Sequence, residues 1–179
     1  MEGIIWLKEH GFKIYGVVID GIRGLARALH PYPVQLCQFH QMMRVRLYLT
    51  QEPELDASVE LLDLIKKMSS MQKEDFFLEA FESWQRKYKD VLEERRHDAR
   101  FKRKTPPYMR PRLRRAYLSV KRNLSLLWTY IDYQDRYIPN TNNSLEGIFA
   151  DVKTKLRVHC GLSKELRMRF IDEYLARRY

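Results

Sequence analysis

The sequence predicts an α/β chain that is mostly helical, in which a short parallel β-α-β segment precedes a large all-helical insertion. Three observations predict it. A largely apolar, β-branched run of strand length covers residues 13–19, and a second strand is expected at 34–39 just after Pro31 and Pro33. From residue 41 to about 135 the apolar positions then recur with helical spacing and almost no strand signal.

The elements follow in order. Residues 3–10 have a short helical pattern closed by Gly11 as a C-cap. The run Lys13-Ile14-Tyr15-Gly16-Val17-Val18-Ile19 has strand length and suits a strand covered on both faces, as in parallel sheets. It ends at Asp20-Gly21, and a helical stretch continues to Leu29. With the second strand at 34–39 this makes a βαβ unit, with parallel pairing and a right-handed crossover expected.

Three apolar stripes define the insertion. Leu61, Leu64, Ile65 and Met68 form the first, and Phe77, Ala80, Phe81, Trp84 and Tyr88 the second. Leu113, Ala116, Tyr117, Val120, Leu124, Leu127 and Ile131 form the third. Stripes of this kind are helix-packing surfaces. Thr105-Pro106-Pro107 and Pro111 interrupt the chain, so a loop is expected between the second and third stripes. The turn-rich Pro139-Asn140-Thr141-Asn142-Asn143-Ser144 opens another helix through Glu146, Phe149, Val152 and Leu156, which Gly161 ends. A last helix starts at Ser163, an N-cap, with Leu166, Phe170 and Tyr174 on one face. The expected division is 1–40, 41–138 and 139–179.

Composition narrows the function classes. The net charge is +10 over 179 residues, and it is concentrated. Residues 95–122 hold twelve lysines and arginines against one acid, Asp98, so the remainder is near neutral. Such a segment attracts polyanions through phosphate neutralisation and counterion release, or else it is a solvated face or a contact for an acidic protein. No run approaches the roughly 18 apolar residues of a membrane span, and Met1-Glu2-Gly3-Ile4 lacks the features of a signal peptide. Cys37 and Cys160 do not make a disulfide framework in a chain of this length, which points to the reducing cytoplasm. No membrane partner is expected.

Three places can carry chemistry. Asp20 stands at the carboxyl end of a strand, where functional groups gather in α/β sheets. It either offers oxygen to a hard cation or caps the following helix. Cys37-Gln38-Phe39-His40 ends the second strand. Its C-x-x-H spacing supplies two of the four ligands that a structural zinc site needs, so zinc is not expected. A packed cysteine and a hydrogen-bonded histidine, with a structural role, fit better. The third place is Asn140 to Gly147, with Glu146 three residues after Asn143 in capping-box spacing. Lys153, Lys155, Arg157, His159 and Gly161-Leu162-Ser163 follow it.

Taken in order, these features resemble the mutator-type branch of DDE transposases, including bacterial insertion-sequence relatives. The shared pattern is an Asp in V-x-D-G context, a C-x-x-H, a helical insertion, then T-N-N-x-L-E-G with K-x-K and H-x-G-L-S. The resemblance spans nearly the whole chain. It implies a partial ribonuclease-H-like catalytic domain with two parallel strands retained, and DNA transposition by divalent-metal-dependent strand cleavage and transfer. Asp20 matches the second catalytic acid and Glu146 the third, both as ligands of Mg²⁺ or Mn²⁺. Cys37 and His40 match the intervening C-x-x-H, and Asn142 and Asn143 the polar lead-in to the late helix. DNA is the implied partner, held by Arg100, Lys102, Arg103, Lys104, Arg110, Arg112, Arg114, Arg115, Lys153, Lys155 and Arg157. In a bacterial cell the nucleoid is the implied place.

The sequence departs from that family at the first acid. Residues 1–19 contain Glu2 and Glu9 but no Asp. The expectation is a transposase fragment, inactive alone, that needs its missing N-terminal part or another copy. The alternative is a non-catalytic DNA-binding or regulatory remnant.

Overall fold

The computed structural model describes residues 2–22, 24–71, 73–96 and 106–177. The chain is mostly helical, with one two-stranded parallel sheet among the described residues. Helix α1 (Glu2–Glu9) precedes β1 (Val17–Ile19), and a single turn of helix, α2 (Leu25–Ala28), leads to β2 (Val34–Leu36). Then come α3 (Gln38–Leu49), α4 (Asp56–Lys67), α5 (Glu74–Lys87), α6 (Lys89–Glu93), α7 (Pro111–Leu127) and α8 (Thr129–Asp132). Two more helices, α9 (Asn143–Val158) and α10 (Lys164–Ala176), complete it. Two compact units result, the first running through Thr141 and the second beginning at Asn142. No described helix is long and apolar enough to cross a membrane.

The parallel pairing is as expected, in the register Val17↔Val34, Val18↔Gln35 and Ile19↔Leu36. Both strands are shorter than the apolar runs that mark them. In β1 only Ile19 is buried, and Phe12 and Tyr15 are exposed, so the run is not covered on both faces. In β2 all three residues are buried, but the chain leaves the sheet at Cys37 and enters α3 at Gln38. The C-x-x-H therefore lies at a helix start and not at the end of a strand. The helical stretch expected up to Leu29 forms over four residues only.

The three stripes do form the core. α4 buries Leu61, Leu62 and Ile65, α5 buries Phe77, Phe81 and Trp84, and α7 buries Leu113, Ala116, Tyr117, Val120 and Leu127. The aromatic rings meet across helices, with Phe81 5.6 Å from Tyr117 and Phe77 5.7 Å from Trp128 between centroids. Each fully buried large side chain contributes about 1.5–3 kcal/mol, so this cluster outweighs any surface ion pair. The Trp84 indole donates to the Ala57 carbonyl at 3.0 Å, which satisfies the one polar atom such a ring brings inside.

This core is continuous across residue 40. Gln35, fully buried in β2, donates through Nε2 to the carbonyls of Leu36 (2.7 Å) and Leu127 (2.9 Å). Its Oε1 accepts the Tyr130 N–H at 2.9 Å. Gln38 donates to the same Leu127 carbonyl at 3.0 Å, and Thr129 Oγ1 donates to the Val34 carbonyl at 2.9 Å. The orphan carbonyls and amides at the α7–α8 break are thus satisfied by β2 and α3. Replacing Gln35 with Leu leaves the Tyr130 N–H and the Leu36 carbonyl buried without these partners. We expect Gln35→Leu to cost roughly 3 kcal/mol in urea denaturation, from about 1–3 kcal/mol per orphaned group. A loss below about 1 kcal/mol would show the clamp to be dispensable.

Candidate functional site

Asp20 directly follows β1 and is exposed at the carboxyl end of that strand. It does not cap the next helix, since α2 begins at Leu25 with Gly24 as its N-cap. Its side chain lines an open cleft of about 760 Å³ with His40, Met43, Arg44, Arg46 and Leu47 of α3. Among the described residues no cation pairs with its carboxylate. An exposed carboxylate at a cleft is the oxygen donor a hard divalent ion requires. Still, no three His, Cys, Asp or Glu side chains of the described residues gather as a metal-binding set.

Arg44 organises this strand end. Its Nη2 donates to the backbone carbonyls of Asp20 at 3.1 Å and Gly21 at 3.2 Å. Gly21 has φ +95°, and a Cβ there would lie 2.6 Å from Arg44 Nη2. Glycine is needed twice over, for the dihedral and for the approach of the guanidinium. Cys37 is fully buried and its N–H donates to the Ile19 carbonyl at 2.8 Å, which joins the end of β1 to the start of α3. His40, one turn on and half-buried, sits edge-on to Phe39 at 5.9 Å.

Glu146 is half-buried in the first turn of α9, in the second unit. The capping-box geometry does not form: the N-cap is Asn142, without a side-chain cap bond, and Asn143 is already helical. The Glu146 N–H donates to the Asn142 carbonyl at 3.0 Å. Further along α9, Lys155 pairs with Asp151 at 2.6 Å and lies over the Tyr174 ring. Lys153 and Arg157 face a cleft of about 350 Å³ that they share with Arg167, a residue the sequence did not single out. The expected N-cap of the last helix is present, with Ser163 Oγ accepting the Leu166 N–H.

The basic segment sorts into engaged and free cations. Arg100, Lys102, Arg103 and Lys104 lie outside the described residues. At the base of the segment, Arg95 and Tyr108 form an antiparallel bridge, and the Tyr108 ring has Arg95 and Arg114 each 4.0 Å from its centroid. Arg110 is ion-paired with Glu94. Arg112 and Arg115 are exposed on the first turns of α7, and no carboxylate of the described residues pairs with them. That helix has no acid in its first turn, and the Glu94 carboxylate at its N-terminal end is engaged by Arg110.

No protein-family pattern, curated protein or solved structure matches the chain.

The strand-end geometry predicts unequal glycine effects. Gly24 also has positive φ, +78°, but a Cβ there meets nothing within 4 Å. Gly24→Ala should cost about 1 kcal/mol, the dihedral penalty alone. Gly21→Ala should cost clearly more, because Arg44 must also move. Equal losses in denaturant unfolding would show that the Gly21–Arg44 approach carries no energy.

Proposed function

We propose that this chain is part of a DDE-type DNA transposase. It would contribute the second and third metal-binding acids, Asp20 and Glu146, on part of a ribonuclease-H-like fold. The observation that supports this most is the placing of Asp20, exposed and unpaired by any described cation, at the carboxyl end of a parallel strand and beside a cleft. The order of Asp20, the C-x-x-H and the late-helix Glu146 adds to it. No Asp stands before Asp20 in these 179 residues, so the first acid would come from outside them.

Asp20 and Glu146 would hold Mg²⁺ or Mn²⁺, and bound ions would supply activation of an attacking oxygen and stabilisation of a leaving one in phosphoryl transfer. The chain's own task is to present the carboxylates and hold the DNA. Arg44 fixes the backbone that bears Asp20, and Arg112 and Arg115 offer phosphate contacts at a helix N-terminus, where the dipole adds to their charge.

A second reading, a non-catalytic DNA-binding or regulatory protein, is favoured by Arg112 and Arg115, which are exposed and paired with no carboxylate of the described residues. It needs no acid.

Three measurements test these readings, and the second divides them. Duplex DNA should bind with strong salt dependence, and Arg112→Gln with Arg115→Gln should lower the slope of log K against log salt by about 2. An unchanged slope would remove α7 from the interface. Fe²⁺ in place of Mg²⁺, with peroxide and ascorbate, should cut the polypeptide near both residue 20 and residue 146, and Asp20→Asn or Glu146→Gln should abolish both cuts. Cutting at neither place would end the two-acid reading and leave the binding protein. The protein alone should show no Mg²⁺- or Mn²⁺-dependent DNA cleavage; cleavage that Glu146→Gln abolishes would mean that the 179 residues are catalytically sufficient.

A further inference from the structure

Beside the Asp20 cleft, on the other side of Arg44, lies a second and more enclosed cavity of about 440 Å³. It opens between Gly21, Ile22 and Gly24 after β1, α3 and α7. Arg44 and Tyr48 reach it from α3, and Ser119, Arg122 and Asn123 from α7. No acid of the described residues lines it.

Its two arginines are held but not neutralised. Arg44 gives its Nη2 to the Asp20 and Gly21 carbonyls, which orient the guanidinium and leave its charge intact. Arg122 gives only Nε, to the Leu118 carbonyl of its own helix at 2.9 Å, and keeps both Nη groups. Among the described residues neither arginine has a carboxylate partner.

The wall behind them is a satisfied polar network. Gln41, fully buried, donates to Ser119 Oγ at 3.1 Å and accepts from Asn123 Nδ2 at 2.9 Å. Asn123 is therefore fixed where it lines the cavity. The lining also has an apolar part, made by Ile19, Leu36 and Leu126. Two guanidinium groups lining one cavity, with no acid among the described lining residues, suit an anion with several acceptor oxygens. The apolar part and Tyr48 suit a flat or apolar body attached to it.

We propose that this cavity is a phosphate-binding subsite that takes one nucleotide unit, with Arg44 and Arg122 on the phosphate. The inference stands apart from the transposase reading, because it requires neither Asp20 nor Glu146. The phosphate has two chemical sources, a free nucleotide or the backbone of a nucleic-acid strand.

The test uses the full chain in phosphate-free buffer with three probes: inorganic phosphate, thymidine monophosphate and a short labelled single-stranded oligonucleotide. Arg122→Met is the principal variant, since its side chain is exposed and bonds only to its own helix. Arg44→Met is added in a double variant, with the thermal midpoint measured to confirm folding; if the double variant unfolds, Arg122→Met decides. At least one probe should bind, and Arg122→Met should weaken it by about tenfold, the equivalent of one lost charge-assisted hydrogen bond. Weakening of thymidine monophosphate assigns the subsite to a free nucleotide, and weakening confined to the oligonucleotide assigns it to a strand. Binding of every probe unchanged by Arg122→Met, or of none, overturns the proposal. Loss of duplex binding in the Arg112 and Arg115 variants alone, with these probes unaffected by Arg122→Met, leaves the α7 interface standing and removes only the cavity.

Discussion

Three buried glutamines hold this structure in its arrangement. Gln35, Gln38 and Gln41 recur at intervals of three through the end of β2 and the first turn of α3, each almost wholly buried. Each places its amide on α7 or the α7–α8 break: Gln35 and Gln38 on the Leu127 carbonyl, Gln41 on Ser119 and Asn123. A primary amide buried without partners costs a few kcal/mol, so these three permit only packings in which α7 presents matching groups. Apolar packing alone allows a helix to slide along a sheet; the amides remove that freedom. With α7 fixed against β2, the carboxyl ends of both strands are fixed against α3 as well.

The two clefts at that end follow from this constraint. Arg44, midway along α3, can reach the carbonyls after β1 only because Cys37 turns the chain from β2 into α3 within one residue. Gly21 then supplies the space that the guanidinium occupies. One arginine thereby separates an open cleft bearing Asp20 and His40 from an enclosed one bearing Arg122 and Asn123. An acidic group and a basic group on opposite sides of one backbone turn keep distinct surroundings without a wall between them.

Much of this was legible in the sequence. The parallel strand pair, the helical region with its three stripes, the non-helical 106–110 before α7 and the Ser163 cap all rest on periodicity or on residue-specific backbone preferences, and those signals are local. The strand lengths were not legible, because an apolar run fixes neither burial nor pairing: Tyr15 belongs to the run yet stays exposed and outside β1. Nor was the start of α3 at Gln38, where the apolar Val34 to Phe39 segment hides a change of direction that only φ and ψ at Cys37 record. The glutamines left a faint signal, polar residues at a spacing of three inside an apolar segment, and reading it required knowing that α7 lay opposite. Asp20 was found by its place after a strand, whereas Arg44 was passed over and Arg122 was read only as one cation of the basic segment 95–122. Their role depends on contacts 23 or more residues away, or on a cavity that two helices create.

The stability of α7 bears on what its charged end can do. Arginines at a helix N-terminus oppose the dipole at about 0.3–1 kcal/mol each, and no acid in the first turn offsets them. The same helix buries Leu113, Tyr117, Val120 and Leu127, and each such side chain contributes about 1.5–3 kcal/mol. The core face therefore outweighs the strain on the exposed face several times over, and the helix does not depend on a counter-charge to Arg112 and Arg115. A polyanion that reaches Arg112 and Arg115 would both relieve that repulsion and meet an aligned N-terminus, so its attraction would exceed that of two arginines in an unstructured tail. Order in the core is what allows this helix to carry exposed positive charge at its N-terminal end, and exposed positive charge attracts a polyanion.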